Sequence, residues 1–209
     1  MSVSDKILKN HLCLGCGLCE AIDRGNCKMT LTKQGFYEPR FQSQSQKNIK
    51  KICPGITIDA NSTQTNKSIW GDVVAVSNAW AKDESIRQSS SSGGVTSALA
   101  IYLLETNQVD AVLHVGVAED TYLYNRLHIS RTREDVLKHN ASRYAPAAVF
   151  NDIMDIFNAS SEVYAFVGKP CDIAGMQNFL RVYPQYKERV KFYLSIFCAG
   201  MPTYEASKK

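Results

Sequence analysis

Long apolar runs are missing from this 209-residue chain. No stretch approaches the roughly 20 residues a membrane span requires, and the opening "MSVSDKILKNHLC" carries no apolar core of signal-peptide length. The expectation is a cytoplasmic protein with no membrane span. Basic runs are scarce as well: the net charge is +4 and none exceeds the Lys50–Lys51 pair, so nothing calls for nucleic acid. There is no repeat at a solenoid period, no Rossmann glycine fingerprint and no Walker lysine motif. Histidine is sparse. His11 reads as a surface residue, His114 and His128 fall within expected strands, and no histidine or carboxylate stands out as an acid–base catalyst.

Cysteine, by contrast, is plentiful and uneven: Cys13, Cys16, Cys19, Cys27 and Cys53 crowd the N-terminal part, leaving only Cys171 and Cys198 for the rest. An odd total of seven, gathered toward one end, argues against a disulfide framework in a cytoplasmic protein. Cys13, Cys16 and Cys19 follow a C-x2-C-x2-C spacing, and Cys53 comes 34 positions later, directly before Pro54. Zinc sites usually join two short-range couples. Three cysteines on one tight loop plus a remote Cys-Pro is the ferredoxin-type pattern of a cubane iron–sulfur cluster. Gly15 and Gly17 let backbone amides approach the sulfides, and Pro54 fixes the turn after the fourth thiolate. Cys27 lacks the Cys-Pro signature and ranks as a structural or spare thiol. On the residues alone, a zinc knuckle or redox-silent thiols stands as the alternative.

The chain divides into two textures. Residues 1–66 are polar and turn-rich, with "SQSQKN" low in apolar residues and "DANSTQTNKS" (Asp59 to Ser68) reading as a linker. From Trp70 on, strands and helices alternate. Strands are expected at 72–80, 110–118, 126–130, 162–168 and 191–198. Helices are expected over 93–106, after the N-cap Thr132 with its acid at Asp135, over 147–157, and from Pro170 through "PCDIAGMQNFLRVY". Such alternation argues an α/β fold, with α+β character once the cysteine-rich N-terminal part is included.

Three further segments carry chemistry. "SSSSGGVTSALAIYLLE" runs serines and glycines straight into a buried helix, whose N-terminus offers free N–H groups to an anion such as a flavin pyrophosphate. A serine-rich N-cap on a core helix explains the same residues. "VGKPCDIAG" and "FCAGMP" place Cys171 and Cys198 at or just past the ends of apolar strands, where ligands bind in open α/β sheets. The two cysteines read either as lining one crevice or as small buried hydrophobes. "SRYAPA" completes the set.

Taken in order, "CLGCGLC…CPG", "SSSSGGVTSAL", "SRY", "GKPCDIAG" and "FCAGMP" resemble the coenzyme F420 hydrogenase/dehydrogenase beta-subunit family, its bacterial polysaccharide-biosynthesis members most closely. The resemblance runs from Cys13 to Pro202. It implies an iron–sulfur flavoprotein oxidoreductase: a ferredoxin-like 4Fe-4S module over residues 1–66 feeding a flavin-binding α/β domain over 67–209. Carried over by position, Cys13, Cys16, Cys19 and Cys53 are the implied cluster ligands. Ser92, Gly93, Gly94, Val95 and Thr96 form the implied FAD-facing turn. Ser142, Arg143 and Tyr144 match a family Ser-Lys-Tyr segment, with arginine here as the cation. Cys171 and Cys198 are the implied ligands of a second 4Fe-4S cluster. Electrons would come from a redox partner protein or low-potential donor and leave to coenzyme F420 or another small-molecule acceptor. Family members continue well past "FCAGMP", whereas this chain stops at Lys209, so the flavin domain is expected to be incomplete. An electron-carrier or docking module without flavin, and a zinc-stabilised interaction protein, are the competing functions.

Overall fold

Ser2 opens the chain's structure as an N-cap: its hydroxyl accepts from the Asp5 N–H while the Asp5 carboxylate accepts from the Ser2 N–H. The computed structural model describes residues 2–43, 48–58, 73–119 and 124–207. The expected linker at 59–68 and the expected domain boundary at 66/67 lie outside the described residues, as does most of "SQSQKN".

The elements run in chain order as α1 (Val3–Lys9), α2 (Leu18–Ile22), β1 (Cys27–Leu31), β2 (Tyr37–Phe41), α3 (Ile49–Ile52), α4 (Glu84–Ser89), a 3-10 turn at Ser92–Gly94, and α5 (Val95–Glu105). There follow β3 (Ala111–Val117), β4 (Asn125–Ser130), α6 (Arg133–Lys138), α7 (Ile153–Ala159), β5 (Tyr164–Gly168), α8 (Pro170–Val182), a 3-10 stretch at Pro184–Arg189, β6 (Val190–Ser195) and α9 (Tyr204–Ser207). β1 and β2 pair as an antiparallel hairpin, from Cys27 opposite Phe41 to Leu31 opposite Tyr37. The main sheet has the order β4-β3-β5-β6, antiparallel between β3 and β4 and parallel elsewhere. This is a mixed α/β fold.

Alternation along the central strands sends side chains to two cores. Ala111, Leu113, Tyr164 and Phe166 face one way, against Met176 and Phe179 of α8, Phe157 of α7 and the buried loop residue Phe150. Val112 and Ala165 face the other, against Ile101 and Leu104 of α5 and Val136 of α6. Leu18, Ala21 and Ile52, from the cysteine-bearing region, sit in the first of these cores. That region is therefore seated directly on one face of the sheet. Among the described residues, no helix is long and apolar enough to cross a membrane.

Three expected elements differ. The strand at 72–80 is not formed over 73–80: Val74 and Val76 are fully or nearly fully exposed, and no ladder partner lies beside them among the described residues. β-branched residues favour a strand only where neighbours pack on them. The helix expected over 147–157 begins at Ile153, because the Phe150 N–H is spent on the Cys16 carbonyl, at 2.8 Å, rather than on a helical carbonyl. The last strand stops at Ser195, not Cys198, since its neighbour β5 ends at Gly168 and α8 takes over.

Candidate functional site

The Cys13–Cys19 loop leaves α1 and enters α2 through Gly17, which serves as N-cap with φ of 89°. A Cβ at Gly17 would stand 2.2 Å from Asn151 Oδ1, so only glycine permits the loop to lie against residues 150–151. Cys53 is the C-cap of α3, its N–H donating to the Ile49 carbonyl. Cys13, Cys16, Cys19 and Cys53 then line one small cavity of about 20 Å³, closed by Ile7, Met29, Pro39 and Pro54.

Backbone amides are aimed at these sulfurs with a repeated offset. The Gly15 N–H eases negative charge on Cys13, the Leu18 N–H on Cys16 and the Gly55 N–H on Cys53, while the Ile56 and Thr57 N–H groups donate to the Cys53 carbonyl at 3.0 and 2.9 Å. Three of the four cysteines thus receive an N–H from the residue two positions on. Burial is nonetheless the largest influence and pushes all four thiols above their ordinary acidity; neighbouring sulfurs push Cys13, Cys16 and Cys19 further. Four thiolates in such a place need compensating positive charge, which is the chemistry of a metal centre.

Two metal chemistries can be compared with the geometry. A tetrahedral zinc ion draws its sulfurs to about 2.3 Å from one centre. A cubane asks for one thiolate at each of four irons around a shared space, and the four cysteines line such a space. Four thiols around one space are a donor set that a cubane would use, as a zinc ion would. Cys27 is buried at the start of β1, outside the cavity lining, with its pKa pushed up to about 12 by burial and then by Glu20 and Asp23.

The two segments expected at a flavin come together. Ser92, Gly93 and Gly94 turn left-handed in succession, with φ of 52°, 67° and 74°, immediately before Val95 and Thr96 begin α5. A non-glycine residue in that region is a strained position of the kind found at ligand clamps. Ser142 Oγ donates to Ser91 Oγ at 2.7 Å, and Asn140 Nδ2 donates to Ser89 and Ser90. Arg143 is held by its Nε on Asn125 Oδ1 at 2.9 Å, and Tyr144 stands 71% exposed beside it. Asn125 and Asn140 were not singled out from sequence, and isolated asparagines give no signal there.

Cys171 opens α8, directly after β5, and Cys198 lies beyond the end of β6. Both cysteines therefore follow the carboxyl ends of the neighbouring parallel strands β5 and β6. Cys198 is exposed and Cys171 half-buried, so neither is a core hydrophobe. Lys169 Nζ donates to Asp172 Oδ2 at 2.6 Å, and the Lys169 N–H reaches the same oxygen at 3.1 Å. Asp172 was legible only as the capping acid of a helix opened by Pro170.

Comparison with known proteins bears on the second part of the chain. The family described as coenzyme F420 hydrogenase/dehydrogenase, beta subunit N-term, matches residues 76–153, and the family describing the C terminus of the same beta subunit matches residues 161–209. Together these cover more than half of the chain, and neither reaches Cys13, Cys16, Cys19 or Cys53. The fold is similar to a chain in a xenon-derivatised F420-reducing [NiFe] hydrogenase complex from Methanosarcina barkeri, with a TM-score of 0.56 at 22% identity. The similarity covers 62% of this chain and 45% of that one, so the present chain spans under half of its length. Among curated proteins, none matches.

Proposed function

The chain belongs to the coenzyme F420 hydrogenase/dehydrogenase beta-subunit family, and from that premise we propose that it is an electron-transfer oxidoreductase. In this reading Cys13, Cys16, Cys19 and Cys53 hold a 4Fe-4S cluster, and FAD lies against the Ser92–Thr96 turn and the Ser142–Tyr144 segment. When bound, the cluster supplies single-electron steps and the flavin joins them to two-electron chemistry. The acceptor is coenzyme F420 or another small molecule, and the donor is a redox partner protein or other low-potential source. Residues 1–66 form the cluster module and residues 67–209 the flavin domain.

One observation carries the cluster reading: Cys13, Cys16 and Cys19 on one loop and Cys53 from a separate segment line one common space. The chain's own residues then have defined tasks. The amides of Gly15, Leu18 and Gly55 stabilise negative charge on sulfur. Ile7, Met29 and Pro39 keep water from the cavity. The left-handed Ser92–Gly94 turn presents N–H groups to an anion at the α5 N-terminus, with Ser142 bracing Ser91. Arg143, fixed by Asn125, supplies a permanent cation to a reduced, anionic ring, and Tyr144 offers an aromatic face. Cys171 and Cys198, beyond the carboxyl ends of β5 and β6, would contribute two thiols to a second cluster.

The test is an absorption spectrum of anaerobically purified protein, with iron, sulfide, zinc and flavin assayed on the same sample. A broad violet-blue shoulder, about four irons and released FAD are expected. Iron and sulfide without flavin would reduce the function to an electron-carrier module. Zinc alone would replace it with a zinc-stabilised interaction protein.

A further inference from the structure

Tyr204, which opens the short helix α9, meets separate parts of the chain at once. Its hydroxyl donates to the Pro146 carbonyl and accepts from the Asn125 N–H at 3.5 Å. Its ring stands edge-on to Tyr124 and Tyr37, with centroids 4.7 and 6.2 Å away. Its backbone lies on the hairpin turn, where a Cβ at Gly35 would stand 3.1 Å from the Tyr204 nitrogen. Tyr37 in turn lies on the cysteine loop. A Cβ at Gly15 would stand 3.0 Å from the Tyr37 carbonyl oxygen and 3.4 Å from its Cβ. Tyr204 is buried, and burial pushes its phenol pKa up, so the hydroxyl keeps the proton it donates.

We propose that Tyr204 is a positioning residue of the flavin site, fixing the segment that carries Arg143 against β4 and seating it on the hairpin beside the Cys13–Cys19 loop. The inference rests on the flavin reading above. Residues 142–146 are pinned at both ends: Ser142 Oγ bonds Ser91 Oγ at 2.7 Å, and the Pro146 carbonyl is tied to Tyr204. Between these ties, Asn125 Oδ1 accepts from Arg143 Nε and Asn125 Nδ2 donates to the Ala145 carbonyl, both at 2.9 Å. The Tyr204 hydroxyl thus grips the backbone of the residue that orients the guanidinium. The Pro146 carbonyl is that residue's only backbone polar group, and it is buried. Without the hydroxyl it loses its donor, and Asn125 loses a restraint. A cation held in place before its ligand arrives spares the cost of ordering it on binding.

The experiment titrates FAD into the full chain stripped of flavin and follows the change in flavin fluorescence. Tyr204→Phe keeps the ring against Tyr37 and Tyr124 and removes only the hydroxyl. It should raise the FAD Kd about fivefold or more. Arg143→Met should raise the Kd as well, and its cost should shrink at least about twofold in the Tyr204→Phe background, where the cation is already misplaced. A hydroxyl that served stability alone would leave the two effects additive. Tyr186→Phe, which loses a hydroxyl bonded to Asn158 Oδ1 at 2.6 Å, is the control and should leave FAD affinity unchanged. Where Tyr204→Phe fails to fold, Tyr37→Leu removes the ring's partner on the hairpin and should weaken FAD in the same direction. An unchanged Kd in whichever variant folds, an equal loss in Tyr186→Phe, or additive effects with Arg143→Met overturns the proposal and leaves the flavin in place. A parent chain that binds no FAD overturns the flavin reading and this proposal with it.

Discussion

His114 is buried in β3 and hydrogen-bonds through Nε2 to Ser130 Oγ across the ladder at 2.7 Å. Burial, with His139 and His128 nearby, pushes its pKa down from 6.5 to about 4. Between those values the unfolded chain binds a proton that the folded chain refuses. Stability from this group is therefore full above about pH 6.5 and is lost as pH falls toward 4, by about 3 kcal/mol in all. His114→Gln keeps an amide for Ser130 and removes the titration. The fall in urea midpoint between pH 6.5 and 4 should be shallower in the variant, and parallel curves would refute the assignment. At Gly17 the constraint is steric. Gly17→Ala adds a left-handed alanine aimed at Asn151, and should cost about 2 kcal/mol or more and reduce iron uptake. Gly25→Ala meets nothing within 4 Å and is the control expected to leave both unchanged.

At the scale of elements, α8 is the mount of the cysteine module. Asn178 is 2% exposed and donates to two carbonyls beside Cys53. Asn178→Ala leaves those carbonyls unsatisfied and should destabilise the chain by roughly 1–3 kcal/mol. Alkylation of Cys53 in metal-free protein should quicken, and an unchanged rate would show that α8 does not seat the Cys-Pro segment. α8 was readable in the sequence from Pro170 and its apolar period, as were α5, β3 and β5, because a packed core requires those patterns. The β1–β2 hairpin was not. Its strands, "CKMTL" and "YEPRF", carry charges and a proline, which a two-stranded edge tolerates and a pattern search passes over. The start of α7 was hidden for another reason. "AVFND" has helix-compatible residues, but Phe150 gives its N–H to Cys16, a partner 134 positions away that no local signal announces. The spacing singled out Cys13, Cys16, Cys19 and Cys53, which the structure brings around one cavity. Asn151, Asn178 and the Lys169–Asp172 pairing were not, since each acts through tertiary contact.

Across the whole molecule, the cysteine loop and the sheet share one core. Leu18, Ala21 and Ile52 pack with Leu113, Phe150, Phe166 and Met176. Loss of the loop's seat and loss of the sheet should therefore occur together. In urea, cysteine accessibility and far-ultraviolet circular dichroism of the metal-free chain should trace one coincident transition. Phe150→Ala should move both midpoints down by the equivalent of about 3–5 kcal/mol. An early loss of cysteine protection, with the sheet intact, would make the module an independently folding unit.

The shared core also imposes an order on biosynthesis. Asn178 follows Thr57, which it holds, by 121 positions. At roughly 5–20 residues per second of synthesis, Cys53 waits roughly 6–25 s on the ribosome before the helix that seats it emerges, and Cys13, Cys16 and Cys19 wait longer. In that interval the thiols are open to oxidants and to competing soft metals. The space that Cys13, Cys16, Cys19 and Cys53 line is thus completed late, timed by translation of α8 rather than by appearance of the cysteines.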